Sequence, residues 1–350
     1  MTELTWSDEL GKRVRSGTWT EQAMSTVGRI ETAFSEGRWE SAAELVDYFM
    51  EEAKVCHVIY SGWFEKFSGW LVDRGIGYEE FERLYELLSF PDGQAFDATG
   101  RIPSERWSNL GAAAERLAND SRALSLEAGE ALESLEHLRE SWRQLHDRWV
   151  DLLSGLMTLA AESGGETALE EMYRFALEPY IEERYSVYDL RERSYEETLQ
   201  RNLYTSFEAM RGHLSGPGRR GEIDFEELED RWVLRFDPCA SGGRVVRGDP
   251  DERTGSRCEP PYSFGVTKER HDWAWNAEGI CYYCAHCCLA LERIPAERWG
   301  HPVRVVDPPR YPEDSSGDQP KSCSWTVYKS REAIPDSVYL RIGLKKPDPE

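Results

Sequence analysis

The sequence has no apolar stretch that approaches the length of a membrane span, and its first residues lack the basic start and apolar run of a signal peptide. We therefore expect a cytoplasmic protein that does not cross a membrane. Basic residues are scarce relative to acidic ones, because 42 Lys and Arg face 65 Asp and Glu and the net charge is −23. Such a surface repels phosphate backbones, so nucleic acid is not an expected partner.

The common catalytic motifs are also missing. The chain has no Walker loop, no G-x-G-x-x-G after a predicted strand, no G-x-S-x-G and no H-E-x-x-H. The best-known markers of nucleotide-dependent and hydrolytic chemistry are therefore absent, and function has to be inferred from clusters of individual residues.

Apolar residues recur at helical spacing through most of the first half of the chain. The strongest pattern, from Trp107 to Ala161, has leucines every seven residues and predicts one long helix packed against near-parallel neighbours. Gly164-Gly165 is expected to end it. Later, short β-type runs predict strands at Trp232–Phe236, Val303–Val306 and Trp325–Tyr328.

These patterns predict a mainly α fold with two unequal parts. We expect a long-helix bundle domain over residues 1–212, a Gly- and Pro-containing linker over 213–222, and a smaller α+β domain over 223–350. Apolar residues are few and irregularly spaced in residues 223–350. Small domains of that kind often depend on a metal ion, so we expect this one to be metal-stabilised.

The distribution of cysteines supports that expectation. Seven of the eight lie after Pro238. Cys281 and Cys284 have the C-x-x-C spacing at which two thiolates hold one metal ion through a tight turn, as in a zinc knuckle, and further ligand types follow at once. One more ligand is expected from a Gly-rich turn after a predicted strand, with Cys258 and Cys323 in reserve. The predicted zinc ligands are Cys239, Cys281, Cys284, His286 and Cys287.

Two other interpretations of the cysteines stay open. Cys281, Cys284 and Cys287 also form C-x2-C-x2-C, the run of cluster-binding ferredoxins, so an iron–sulfur cluster is the alternative cofactor. Buried free cysteines can also be small apolar packing residues without any ligand. A zinc site with four protein ligands would be structural, whereas one with three would leave a position for water or substrate.

Candidate catalytic groups lie in the helical part. His146 borders the predicted leucine seam, Asp147 follows it, and a histidine beside a carboxylate is a candidate general base. His57, next to Cys56 on another predicted helix, is the third candidate. Each of these residues could equally be a packing or surface residue of an ordinary helical bundle.

Two functions follow from these features. The first is a zinc-containing enzyme that acts on a small molecule, with hydrolysis or elimination favoured and a pocket between the two parts. The alternative is a non-catalytic interaction protein or metal or redox sensor, with a structural zinc site and a long helix that forms a homo-oligomer. The acidic surface disfavours anionic substrates unless a local pair such as Arg244 and Arg247 receives them.

Overall fold

The computed structural model describes residues 3–96, 100–249, 253–316 and 321–348. The fold is mainly helical with a small antiparallel sheet in the C-terminal part, as the sequence predicts. Among the described helices, none combines the length and apolarity needed to span a membrane. The helices are α1 (Trp19–Ala23), α2 (Thr26–Ser35), α3 (Trp39–Asp73), α4 (Tyr78–Leu87), α5 (Arg101–Arg122), α6 (Ala128–Tyr185), α7 (Tyr195–Gly212), α8 (Gly242–Arg247), α9 (Tyr282–Cys287), α10 (Ile294–Trp299) and α11 (Asp336–Leu340). The strands are β1 (Leu4–Ser7), β2 (Lys12–Arg15), β3 (Asp224–Glu227), β4 (Arg231–Phe236), β5 (Val305–Asp307) and β6 (Cys323–Tyr328).

Helix α3 is the centre of the N-terminal part and packs against α2, α5, α6 and α7. Its apolar residues recur three or four positions apart and therefore share one face. Phe49, Cys56, Tyr60 and Trp63 are buried along that face. Removal of this wide stripe from water holds α3 among its neighbours.

The heptad pattern belongs to two helices, so the predicted single helix from 107 to 161 is wrong. Helix α5 ends at Arg122 and α6 begins at Ala128. The chain turns at Leu124, whose left-handed backbone (φ 54°) is typical of the residue that follows a helix end. The leucine row survives the turn because each helix buries its own part of it inside this chain.

The helical backbone of α6 is interrupted at Gly164 and Gly165, where the sequence predicts that the long helix ends. Gly164 and Gly165 have non-helical backbone angles, with φ of 76° at Gly165, and the helix resumes after them and ends at Tyr185. Glycine accepts the positive φ without strain, which makes a local interruption possible here. The same element therefore carries His146 before the interruption and Arg184 after it.

The C-terminal sheet has the strand order β3-β4-β6-β5, and all its neighbours are antiparallel. Phe236 at the end of β4 lies opposite Cys323 at the start of β6, so the turn after β4 brings Cys239 next to Cys323. Helix α9 passes through a π-helical turn (Cys288–Arg293) into α10. That this part is stabilised by a metal stays a prediction.

Residues 213–222 are packed into the molecule. The Gly216 N–H donates to the Pro238 carbonyl at 2.8 Å, and Arg219 is only 1% exposed. One continuous apolar core extends from Leu4 to Ile342 and includes residues from both sides of the segment. The proposed division into residues 1–212 and 223–350 stays a prediction.

Candidate functional site

A cavity of about 110 Å³ lies between the helical part and the C-terminal part. Helices α3 and α7 and the end of α6 form one wall. The turn after β4, helix α9 and the first residues of β6 form the opposite wall. Most of the lining is apolar or aromatic, and its polar groups include a hydrogen-bonded chain, several thiols and two arginines.

The polar chain consists of Asp147, His146, His213, Tyr60 and Tyr283. His146 Nδ1 lies 2.9 Å from Asp147 Oδ1, and His146 Nε2 lies 2.9 Å from His213 Nδ1. Tyr60 Oη lies 2.9 Å from His213 Nδ1 and receives a hydrogen bond from Tyr283 Oη, also at 2.9 Å. Four elements, α3, α6, α9 and the segment after α7, meet in this chain.

Asp147 is held as a carboxylate by buried arginines. Arg219 donates to both of its oxygens, at 2.6 and 3.2 Å, and also pairs with Asp249 at 2.5 Å. Burial alone would raise the pKa of Asp147, but the charges of Arg219 and Arg244 outweigh burial and hold that pKa well below its usual range. An ionised carboxylate only accepts hydrogen bonds, so the proton in its bond with the histidine lies on His146 Nδ1.

This protonation state sets the orientation of the whole chain. Burial lowers the pKa of both His146 and His213, so both imidazoles are neutral at neutral pH. With hydrogen on its Nδ1, His146 can only accept at Nε2, and the Nδ1–H of His213 supplies the donor. His213 Nε2 is therefore left with a lone pair. His213 lines the cavity and His146 and Asp147 do not, so His213 connects these two residues to the cavity.

The thiol side of the cavity contains two hydrogen-bonded pairs. The Cys323 thiol bonds to Cys239, and the Cys284 thiol bonds to Cys281. The backbone N–H of Cys284 also donates to Cys281 Sγ at 3.2 Å. The two pairs are close, because a Cβ placed on Gly242 beside Cys239 would lie 2.3 Å from Cys284 Sγ.

Cys239 is the thiol best prepared to ionise. The hydrogen bond from Cys323 lowers its pKa to about 6 against the effect of burial, and the N–H groups of Gly243 and Ser241 act in the same direction. Its neighbour across the cavity differs, since burial raises the pKa of Cys56 to about 12. At neutral pH the cavity wall therefore has one thiolate among neutral thiols.

Of the predicted metal ligands, Cys239, Cys284, His286 and Cys287 line the cavity, and Cys281 lies beside them. His286 donates from Nδ1 to the Tyr283 carbonyl, and its Nε2 accepts from Cys287 Sγ at 3.4 Å. Within the described ranges, no three or more His, Cys, Asp or Glu side chains stand together in an arrangement that could hold a metal ion. The thiols stand as pairs, and metal binding stays a prediction.

Comparison with protein-family models, with curated proteins and with solved structures gives no match for this chain.

His57 stands apart from the other two predicted catalytic residues. His146 and Asp147 bond to each other and reach the cavity through His213 and Tyr60. The ring of His57 instead stacks on Trp107, with centroids 4.3 Å apart, and its Nδ1 accepts from Trp149 Nε1 at 3.3 Å. It does not line the cavity, so its place is that of a packing residue among aromatic rings.

His213 and Tyr283 were not predicted from the sequence, and Cys323 was predicted only as a reserve ligand. His213 stood in the presumed linker, and Tyr283 is one of two adjacent tyrosines between Cys281 and Cys284. No short-range pattern marks either residue. The hydrogen bond between Tyr283 and Tyr60 joins α9 to α3, and the bond between His213 and His146 brings His213 into the polar chain.

We expect protonation of His57 to lower the free energy of unfolding of the protein in acid. Burial lowers the pKa of His57 to about 4 from an ordinary value of 6.5, so the unfolded chain binds a proton more readily than the folded one. The stability that neutral His57 contributes is complete above pH 6.5 and is lost as the pH falls towards 4. Because the ring is only half-buried, the loss between neutral pH and the lower end of this window should be roughly 1 kcal/mol.

The measurement is urea unfolding of the wild type and His57→Gln across this pH range. Glutamine keeps an acceptor for Trp149 and removes the titration. The free energy of unfolding of the variant should change less with pH than that of the wild type. Identical pH dependence in the two proteins would show that His57 does not titrate differently on unfolding.

Proposed function

We propose that this chain is an enzyme that acts on a small molecule in the cavity, and that Cys239, Cys281, Cys284 and Cys323 hold a zinc ion in its wall. One observation carries the proposal: a chain of hydrogen bonds anchored on a buried carboxylate reaches a cavity whose lining also contains a cluster of thiols. A proton acceptor and a set of soft ligands that face the same enclosed space are the parts of a catalytic site.

In this proposal the polar chain provides the general base of the enzyme. A proton taken up at Nε2 of His213 is matched by transfer of its Nδ1 proton to His146, and the resulting positive charge is stabilised by Asp147. Arg219 keeps that carboxylate ionised without taking part in proton transfer. In this proposal His213 is the catalytic residue, and His146 and Asp147 are positioning residues that act through it.

The hydrogen bonds of the thiols favour the proposed zinc site. N–H groups that donate to sulfur stabilise the thiolate, the form that binds metal, and both Cys239 and Cys281 receive such bonds. The close approach at Gly242 places the turn that follows Cys239 against Cys284, so the two thiol pairs lie on neighbouring segments. His286 is less suited, because its Nε2 already accepts from Cys287.

Zinc would supply a Lewis acid at the cavity wall. Three thiolates would leave its fourth position for water or substrate, which favours hydrolysis or elimination as the reaction. Four thiolates would close the site and make the ion structural, which corresponds to the alternative function of a non-catalytic sensor or interaction protein.

Metal analysis with an absorption spectrum, on protein purified without added metal, tests the zinc ion. We expect about one equivalent of zinc on a colourless protein. Cys239→Ser and Cys284→Ser should lose the metal, whereas Cys258→Ser should keep it, because Cys258 does not line the cavity. Brown protein with iron and sulfide would replace zinc by a cluster. No metal in the wild type would end the metal proposal.

A turnover screen with small esters, amides and hydroxy acids tests the enzyme. We expect His213→Gln to lower the turnover of any substrate found by about 100-fold or more, because it removes the basic nitrogen. The matched control is His57→Gln, which changes a histidine outside the cavity. Bound zinc with no turnover in the wild type would favour the structural alternative.

A further inference from the structure

The cavity wall contains two guanidinium groups that no carboxylate in the described lining neutralises. Arg184 and Arg304 line the cavity, and no Asp, Glu or Lys is found among the described residues that line it with them. The chain as a whole has a net charge of −23, so carboxylates were available to pair with these arginines. Two guanidinium groups without a carboxylate partner are unusual in such a protein and point to a ligand that supplies the negative charge.

Arg304 is held in place entirely by neutral groups. Its Nε donates to Asn202 Oδ1 at 2.8 Å and its Nη2 to Thr205 Oγ1 at 2.7 Å, and its guanidinium lies 5.1 Å from the centre of the Trp325 ring. Arg304 is 4% exposed. These bonds orient the group without cancelling its charge, which a low-dielectric wall then screens only weakly.

Arg184 lies in the last turn of α6, where the cavity meets an outer groove. It is half-buried, and its guanidinium lies 5.8 Å from the ring centre of Tyr180. It forms no ion pair with an acidic residue in the described part of the chain. Arg174, on the same helix, shows the usual arrangement, because it pairs with Glu170 at 3.0 Å and with Glu178 at 2.8 Å.

The outer groove extends the positive charge to the surface. It has a volume of about 380 Å³, shares Trp63, Tyr180 and Arg184 with the cavity, and is also lined by Lys54 and Lys66. Glu51 is the acidic residue among its described lining. In a protein that repels anions over most of its surface, this groove is a path by which an anion can approach.

The remainder of the cavity selects for an apolar body. Ile59, Trp63, Met210, Leu291 and Trp325 supply hydrocarbon and ring surface. A cavity of about 110 Å³ accommodates a body of roughly the size of one ring, since a dry cavity of roughly 150 Å³ binds benzene. Guanidinium groups bind carboxylates through charge-assisted hydrogen bonds in fixed directions.

We infer that the ligand of the cavity is a small organic carboxylate with an apolar or aromatic body, which enters through the groove and places its carboxylate on Arg184, with Arg304 deeper in the wall. This inference rests on the proposed function and names its substrate class. The pair Arg244 and Arg247, which the sequence suggested as anion receivers, has other partners. Arg244 pairs with Asp151 and Arg247 with Asp237.

The test is calorimetric titration of the full-length protein with acetate, butanoate, hexanoate and phenylacetate, and with phenylacetamide as the neutral counterpart of the last. We expect phenylacetate to bind more tightly than phenylacetamide and acetate, and its affinity to fall at high salt. Arg184→Gln should weaken phenylacetate binding by about tenfold or more. Arg174→Gln makes the same charge change on the same helix outside the cavity and should bind as the wild type does.

Thermal unfolding of the same variants shows whether Arg184 has a folding role. A half-buried cation without a carboxylate partner destabilises the fold, so Arg184→Gln should unfold at the same temperature as the wild type or higher. A large loss of stability in this variant would show that Arg184 has a folding role. Arg304→Lys, which keeps the charge and loses the fixed orientation, provides a second variant for the titration.

Three results would overturn the inference: no binding of any carboxylate in the series, equal binding of the acid and the amide, or unchanged phenylacetate binding in Arg184→Gln. Tighter binding of phenyl phosphate than of phenylacetate would also overturn it, in favour of phosphate esters. Metal content is measured on the same preparations. Zinc without carboxylate binding refutes only this inference, and carboxylate binding without zinc refutes only the metal proposal.

Discussion

Replacement of Arg219 by methionine is expected to lower the free energy of unfolding by about 3–5 kcal/mol. The reason is the charge that the substitution leaves behind. Asp147 and Asp249, 2% and 0% exposed, both pair with this guanidinium, and removing it leaves two carboxylates close together in the interior. Breaking one side of a buried ion pair costs far more than the pair contributes as a whole, because the remaining carboxylates stay away from water and lose the cation that joins them.

Arg220 provides the matched control for this prediction. It is the next residue in the chain and also pairs with carboxylates, Glu31 and Glu136, but its side chain is 29% exposed and water can replace the lost contacts. Arg220→Met should therefore cost about 1 kcal/mol or less. Urea unfolding of both variants measures the difference. Similar small losses in the two would mean that Asp147 and Asp249 can be neutralised or hydrated, and that the polar chain is less firmly anchored than its geometry indicates.

Replacement of Gly216 by alanine is expected to have the second largest effect, a loss of about 3 kcal/mol or more. Gly216 has a φ of 82°, and a Cβ on it would lie 2.0 Å from the carbonyl oxygen of Glu222. Backbone atoms cannot move aside as the end of a flexible side chain can. The substitution therefore has to displace the turn that positions Arg219, in addition to the strain of a left-handed backbone.

The substitution Gly218→Ala separates the effect of the backbone clash from the effect of the positive φ. Gly218 also has a positive φ, 63°, but a Cβ there would meet only side-chain atoms of Arg220, at 3.4 Å. Gly218→Ala should cost about 1 kcal/mol, the expense of the backbone angle alone. The comparison requires thermal or urea unfolding of both variants. A neutral Gly216→Ala would indicate that residues 213–222 move freely, as the linker hypothesis supposes.

Local patterns were sufficient to predict the class of the fold. The three-four spacing along α3 and the alternation in β4 and β6 follow directly from burial of one face, and the structure has helices and strands there. The same reasoning failed between α5 and α6. A row of leucines seven residues apart does not reveal a turn when it continues from one helix into the next. The residue at that turn is Leu124, so neither glycine nor proline marks it in the sequence.

The candidate site was only partly predictable for a related reason. Cys281, Cys284 and the His146-Asp147 pair are close in sequence, so spacing alone singled them out. The partners that join them to the cavity are distant in sequence: Tyr60 lies in α3, before α6, and His213 directly follows α7, after it. Composition could not single out Arg184 and Arg304, because it gives the number of arginines in the chain and not which of them lack a carboxylate partner.

The composition of the cavity wall has a consequence for the order of folding. Its two sides come from α3 and β6, near opposite ends of the described chain, so the polar chain and the thiols meet only when contacts of very long sequence separation have formed. During synthesis the helical half emerges first and presents the apolar face around Tyr60 and Trp63 without its covering wall. Closure of the cavity is therefore a late event in folding. An incompletely synthesised chain exposes an apolar surface, prone to non-specific association, where the complete protein has its site.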